Sequence, residues 1–397
     1  MKKKQIFALL ATYLGYCSIY IARVNLSVAG PFLTGDGYLS ATQFGVLGSA
    51  FSVCYAVGRL ASGRFNDRVA PWKMLVIGLG AAGVANLLLG LLPPYAGMLV
   101  LCAANALGQS MLWGSVLHVV VESVDEQIVK RIMSYMVTAV STGTVLGYLL
   151  DARWTTRYGV GATFLLPGAL CLLLAAACFV FTKHIRLPAP PPSQKTRIRG
   201  LFTVQDGVGV LLPDFLHGLM KDNISLWLPA FFVSAYGLDL QNAVWYVVLV
   251  PLVGLVGRLL YSPLYELLRQ NERSVNLVSF AICLAGALRL LLGNLSMLEA
   301  AICFGLMYAA LSLANTSYLS IYPLGFQEKG STAFVSGVMD LLAYLGAGVG
   351  SALFGRLIDR AGYSSMFAVW TGISLAAVLL SLIVRRKEKK HEAASAS

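Results

Sequence analysis

Along this chain the apolar residues come in long unbroken runs, not in the half-buried stripes of a soluble helix or strand. A helix needs ~20 apolar residues at 1.5 Å per residue to cross the ~30 Å hydrocarbon layer of a bilayer. Twelve stretches meet that need. The first runs from Ile6 to Leu33 behind three lysines, and others follow at about 40–65, 73–92, 97–121, 130–152 and 160–182. Six more cover about 205–234, 240–268, 274–294, 298–322, 332–356 and 363–384. A signal peptide also begins with charge, but its apolar core is only ~7–15 residues, so the first run is expected to stay as a helix. Between the two sets of six, the stretch 183–204 holds Pro188, Pro190, Pro191 and Pro192 among basic residues, which predicts an extended linker. The predicted fold is all-α and integral to the membrane, with twelve transmembrane helices in two six-helix halves, 1–182 and 205–384. The basic linker joins the halves and a basic tail, 385–397, follows them.

Composition sharpens this. Hydrophobic residues make up 57% of the chain and charged ones only 12%, against ~25% charged in a globular protein, which excludes a soluble single domain. The net charge of +12 would ordinarily raise nucleic acid as a partner. Of the 30 Lys and Arg, however, 21 fall in segments on one side of the membrane, four on the other (Arg153, Arg157, Arg356, Arg360) and five inside helices. That asymmetry is the positive-inside pattern. It predicts both termini in the cytoplasm of a cell (inner) membrane protein, with the bilayer and not nucleic acid as its surroundings. The four outer arginines are expected to pair with Asp151 and Asp359, with enrichment of anions at the outer mouth as the alternative. The seven cysteines all lie within spans and form no CxxC pair, so neither disulfide nor metal is expected. No HExxH, GxSxG or P-loop pattern occurs, which points away from an enzyme, a cofactor or direct ATP coupling.

The two halves repeat each other. Arg23-Val-Asn25-Leu-Ser27 through Pro31 returns as Lys221-Asp-Asn223-Ile-Ser225 through Pro229 at an offset of 198. Val57-Gly58-Arg59-Leu60 returns as Val256-Gly257-Arg258-Leu259 at 199, and Arg153, Arg157, Gly159 and Phe164 return as Arg356, Arg360, Gly362 and Phe367 at 203. Two six-helix halves related by an axis along the membrane normal are the repeat plan of major-facilitator transporters. Gly143-x3-Gly147 in span 5 and Gly346-x3-Gly350 in span 11 occupy corresponding places and predict close helix packing.

The repeat also places charge. Arg23 in span 1 and Lys221 in span 7 fall within ~5 Å of mid-membrane at 1.5 Å per residue. An ionised side chain there costs at least ~2.5–3.5 kcal/mol. The repeat sets the two cations at equal depth on opposite walls of one cavity, and an anion held between them offsets both penalties. A small anionic substrate is the expectation. The competing reading pairs each cation with an acid: Asp222 adjoins Lys221, Asp214 shares its helix and Asp340 lies in span 11, whereas span 1 has none. Tyr13, Tyr16, Tyr20, Arg23 and Ser27 follow at spacings of three and four, one stripe of a helix. Asp214, His217 and Lys221 form a similar stripe. His217, Asp214 and Asp340 are candidates for a coupling proton, with simple packing as the alternative for the histidine.

With these residues in hand, the chain resembles the organophosphate:phosphate antiporter branch of the major facilitator superfamily, the glycerol-phosphate and hexose-phosphate carriers. Tyr16-x3-Tyr20-x2-Arg23 with Asn25 is similar to that family's first helix, and Lys221 with Trp227 and Pro229 to its seventh. Ser52-Val-Cys-Tyr55-x3-Arg59 and then Gly63-x3-Asp67-Arg68 resemble its second helix and the loop beyond. Gln109-x3-Trp113 is similar to its fourth helix, and Ser331-Thr-Ala with Tyr344-Leu-Gly-Ala to its eleventh. The resemblance implies that Arg23 and Lys221 clamp a phosphate and that Tyr16, Tyr20, Tyr55, Arg59, Trp113 and Tyr344 line the cavity. For Arg59, snorkelling to the membrane face is the competing reading. The resemblance further implies that Asp67 and Arg68 latch one face. Alternating-access transport of a sugar phosphate or glycerol phosphate, in exchange for inorganic phosphate, would follow, by a protein expected to be a monomer. Two positions depart from the pattern. Val140 stands where glycerol-phosphate carriers have a pore histidine, and Val24 where some members have a second cation. Related anion:cation symporters share Asn-Leu-Ser-Val-Ala after a first-helix arginine. That keeps a proton-coupled sugar-acid symporter as an alternative, beside a membrane sugar-phosphate sensor.

Overall fold

In the computed structural model the described residues are 3–66, 69–185, 201–203, 206–327 and 331–396; they are helical almost throughout and contain no strand. Ten helices are long and apolar enough to cross a membrane. One of them, Phe334–Ile383, is two crossings, because the backbone leaves the helical region at Ala361 and Gly362. Leu212–Tyr236 is long enough but carries Asp214, His217, Lys221 and Asp222, which keep it off that set. The count of twelve crossings stands.

Several spans depart from a plain α-helix. Span 4 loosens at Met111, between Tyr95–Ser110 and Leu112–Ser123, without leaving the right-handed helical region (φ −79°, ψ −15°). Span 7 begins with a π-helical segment, Gly207–Leu211, and span 10 (Met297–Thr316) continues through another, Ser317–Ile321. Span 5 reaches Tyr158 and stops because Gly159 turns the chain at φ 86°. Its repeat partner Gly362, at φ 70°, turns the chain between spans 11 and 12. A side chain resists that left-handed backbone and glycine does not, so the duplicated glycines mark duplicated turns.

By packing, the chain forms two units. The first comprises Met1–Ser193 with Ser225–Val248. In it span 3 (Pro71–Leu89) lies along span 6 (Ala162–Thr182), and span 1 (Lys3–Gly35) along spans 5 (Glu126–Tyr158) and 6. Ala8, Leu79, Ala82, Leu112 and Val116 are among the core residues. Asn25 is buried and donates from Nδ2 to Asn86 Oδ1 at 2.6 Å. Ser27 Oγ donates to the Ser225 carbonyl at 2.5 Å, and Tyr148 Oη to the same carbonyl at 3.1 Å. Gly147 brings span 5 against span 1 so closely that a Cβ there would lie 3.0 Å from Ile21 Cα.

The second unit comprises Gln194–Ile224 with Leu249–Ser397. Span 9 (Glu272–Leu292) packs on span 10 and on the last helix, Thr332–Ala396. Trp370 sits among Phe304, Phe354 and Phe367. Asn223, the repeat of Asn25, is buried; its Nδ2 donates to the Ala347 carbonyl at 3.0 Å and its Oδ1 accepts from Ser351 at 2.9 Å. Gly350 meets this same seam, where a Cβ would lie 2.6 Å from the Leu219 carbonyl oxygen. Span 5 on span 1 and span 11 on span 7 are therefore equivalent glycine seams, as their sequence spacing predicts.

One expectation needs correction. Asp151 does not pair with Arg153 or Arg157: it is fully buried, and neither carboxylate oxygen accepts a hydrogen bond among the described residues. The spacing explains it. Residues 143, 147 and 151 recur every four positions, so Asp151 continues the glycine seam and faces inward. Asp67, Arg68, most of the linker (186–200 and 204), Gln205 and the side chains of the basic tail lie outside the described residues. All seven cysteines are free, five of them buried and Cys54 and Cys303 half-buried.

Candidate functional site

In the first unit the expected residues come together around Arg23. Its guanidinium carbon lies 4.6 Å from the centre of the Tyr55 ring, 5.3 Å from Phe51 and 5.8 Å from Tyr20. Span 1 supplies Arg23 and Tyr20, and span 2 (Ala41–Asn66) supplies Phe51 and Tyr55. Phe51 and Tyr55 are four residues apart, hence on one helix face, and their rings stack at 6.1 Å. An aromatic face attracts a cation without cancelling its charge. An arginine presents its N–H donors along the plane of the guanidinium, the direction from which carboxylate and phosphate oxygens are bound.

A second layer supports this cage. Tyr16 and Tyr20 share a hydroxyl contact of 3.4 Å and an edge-on ring contact of 5.4 Å. Trp113, just past the loosened turn in span 4, packs on Tyr16 at 5.4 Å. Arg59 is half-buried and near enough to Tyr16 for its charge to act on the phenol. Tyr16 is itself nearly sealed, at 7% exposure, so it props Tyr20 from behind. The first-helix stripe is divided in use: Tyr13 turns to Thr138 of span 5 at 3.2 Å, and Ser27 holds main-chain carbonyls.

In the second unit the cation is Lys221, 14% exposed. Its Nζ lies 5.9 Å from the Tyr308 ring centre and 3.5 Å from Asp222 Oδ1. The acid that the sequence offered as a competing partner is therefore in contact, within ion-pair distance and at the limit of a hydrogen bond, with Asp222 35% exposed. Neighbours in sequence do not share a helix face, so this pair is reached only sideways. Asp214 and His217 lie deeper on the same helix, buried at 0% and 1%, with Oδ1 and Nδ1 3.5 Å apart. Asp340, half-buried in span 11, acts electrostatically on Asp214. Tyr344 is half-buried one turn further along that helix.

Three aromatic residues at these sites were not singled out from the sequence. Phe51 had a signal, since it precedes Tyr55 by one turn. Tyr308 belongs to span 10 and Tyr318 to its π-helical continuation. Among the described residues searched, no cluster of His, Cys, Asp or Glu is arranged to hold a metal.

Comparison with known proteins bears on what this arrangement serves. A sequence profile described as Major Facilitator Superfamily matches residues 12–339. The "Membrane sensor protein UhpC" of Escherichia coli (strain K12) is 25% identical, over 95% of this chain and 90% of its own. The "Phosphoglycerate transporter protein" of Salmonella typhimurium (strain LT2) is 24% identical, over 96% of this chain and 89% of its own. Among solved structures, the nucleoside transporter NupG superposes with a TM-score of 0.76 at 12% identity, over 97% of this chain and 99% of that one. That likeness speaks to fold alone.

Proposed function

The chain belongs to the Major Facilitator Superfamily, and from that premise we propose that it is a secondary carrier of a small organic anion, most simply a phosphorylated metabolite, working by alternating access. The observation that carries the reading is Arg23, a guanidinium in the middle of a membrane helix walled by three aromatic rings. Rings lower the cost of burying the charge and leave its positive potential to attract an anion. The repeat gives Lys221 the equivalent place in the other half, and in this reading both cations hold the substrate. Tyr20 and Tyr55 present their rings beside it, with Tyr16, Trp113 and Arg59 behind and Tyr344 contributed by span 11. The likeness to a phosphoglycerate transporter supports a phosphate ester as the cargo, and exchange for inorganic phosphate follows the organophosphate antiporters that the chain resembles.

Binding both cations at once supplies the differential stabilisation of an occluded state that alternating access needs. The positive-inside distribution supports cytoplasmic termini in a bacterial-type inner membrane, with Asp67 and Arg68 serving as a latch on that face. Uptake of labelled phosphoglycerate, glycerol phosphate and inorganic phosphate into proteoliposomes tests the reading. Arg23→Ala and Lys221→Ala are each expected to abolish uptake while the protein still folds, and normal transport by either removes it from the clamp. The similarity to a membrane sensor favours a second reading, in which the same site detects its anion and signals. Binding without net flux would select that one.

A further inference from the structure

A cavity of about 290 Å³ lies wholly within the second unit, lined by Val210, Asn271, Glu272, Arg273, Asn276 and Tyr318 among others. Its mouth is at the connection of spans 8 and 9, where Asn271 is exposed; its inner end is Tyr318, only 1% exposed. The Tyr318 hydroxyl and Asn276 Oδ1 are both buried and have no hydrogen-bond partner among the described residues. Buried polar groups are nearly always satisfied, and a polar cavity of this size holds the water that would satisfy them. Val210 belongs to one π-helical segment and Tyr318 to the other, and these are the two such segments among the described residues. π-Helical turns concentrate at functional sites because they re-aim a side chain out of the regular helix.

Behind Tyr318 stands the Asp214–His217 pair, with the imidazole and phenol ring centres 6.0 Å apart. Neither Asp214 oxygen nor either His217 nitrogen makes a full hydrogen bond, and the main-chain carbonyls of Asp214 and Leu311 act on the imidazole. The charged groups whose fields reach this place are Lys221 and Asp222 on the same helix and Asp340 from span 11. Asp214 and the cavity-lining Glu272 both act electrostatically on Tyr318. A buried carboxylate without donors carries its charge at a cost of several kcal/mol. Asp214 and His217 holding one proton between them are neutral; holding none they are an anion, and holding two a cation.

We propose that Asp214 and His217 form a proton-binding site, loaded from the spans 8–9 connection through the water-holding cavity by way of Tyr318. In the relay, hydronium in the cavity gives a proton to the phenol oxygen while the phenol O–H proton passes inward to the Asp214 carboxylate. The phenol is regenerated, the carboxylate becomes neutral and water is left in the cavity. Glu272 and Asn276 hold that water at the near end. The pair lies one helical turn from Lys221, so its filling changes the field at that cation. That the proton moves together with an anion rests on the carrier reading; that the site binds a proton does not.

Infrared difference spectra of the purified full-length protein between acid and neutral pH test the site directly. Wild type is expected to show a titrating protonated-carboxyl band that disappears in Asp214→Asn and persists in Asp151→Asn, which removes the other carboxylate that is fully buried among the described residues. Proton uptake after a pH jump is expected to keep its amplitude but slow in Tyr318→Phe. A band unchanged in a folded Asp214→Asn protein overturns the site, and an unchanged uptake rate in Tyr318→Phe overturns the route. Should Asp214→Asn not fold, His217→Gln serves in its place, and an unaltered band there is equally fatal. In proteoliposomes an imposed proton gradient should drive accumulation of labelled phosphoglycerate by wild type and lose that effect in Asp214→Asn. If the wild-type protein moves no phosphate ester at all, the carrier reading fails while the infrared result still decides the proton site.

Discussion

Replacing Tyr55 by leucine takes the nearest wall from the cage around Arg23 while leaving an apolar side chain in its place. The ring centre lies 4.6 Å from the guanidinium carbon, against 5.3 Å and 5.8 Å for the other two rings. Tyr55 is 6% exposed, so the contact belongs to the desolvated end of the cation–π range, about 1–2 kcal/mol. At 1.4 kcal/mol per tenfold, that is a weakening of anion binding of roughly 5- to 30-fold. Tyr55→Phe keeps the ring face and removes only the hydroxyl, so it is expected to be clearly less impaired than Tyr55→Leu. The assay is the concentration dependence of labelled phosphoglycerate uptake in proteoliposomes, with a thermal melt of each purified variant to separate folding from binding. If Tyr55→Leu binds as tightly as wild type, the ring does nothing for Arg23. If Tyr55→Phe is as damaged as Tyr55→Leu, the hydroxyl and not the ring is what matters, and the cage argument falls.

Two further expectations follow from the packing and the ion pair. Gly350→Ala drives a methyl against the Leu219 carbonyl and Asn223 and should destabilise the protein by about 1–3 kcal/mol, whereas Gly372→Ala, whose Cβ meets nothing within 4 Å, should melt like wild type. Equal melting points for the two would show that the seam is not tight. Asp222→Asn removes the acid that competes for Lys221. Because the pair is long and partly exposed, solvent screening limits the effect to at most about 1 kcal/mol. The substrate concentration for half-maximal uptake should fall slightly, and a loss of uptake would instead place Asp222 in the transport machinery.

Hydrophobic run length was enough to lay out the twelve crossings, because a lipid-facing backbone must satisfy its own hydrogen bonds and has no option but helix. Even span 7, whose charges lower its hydropathy, was legible through its repeat partner. The duplicated residues were legible too, and they prove to be chiefly structural: Asn25 and Asn223 tie helices, and Gly159 and Gly362 turn the chain. What the sequence could not supply is neighbour choice across helices. Nothing in span 1 announces that Phe51 will wall Arg23, and Asp151 looked like a partner for nearby arginines until the depth of the glycine seam turned it inward. The loosened turn at Met111 and the π-helical segments were equally silent, since each answers a local packing demand that leaves no periodic trace.

The repeat gives each half one cation, Arg23 and Lys221, and their surroundings differ. Arg23 is a permanent charge, held by the rings of Tyr20, Phe51 and Tyr55. Lys221 sits beside an acid and one turn from a buried Asp–His pair. A permanent cation in one unit suits constant attraction of an anion, and a titratable neighbourhood in the other suits release of it. When the Asp214–His217 pair is empty of protons its negative charge screens Lys221, and when it is filled that screening disappears. An anion would then be held more firmly in the protonated state by an effect acting through one unit alone. The prediction is a one-sided one: the pH dependence of anion affinity should survive Arg23→Lys, which keeps a cation in the cage, and vanish in Asp214→Asn. Binding of labelled phosphoglycerate to each purified variant across pH is the measurement, and a pH dependence that follows Arg23 instead would mean that the division of labour between the units is wrong.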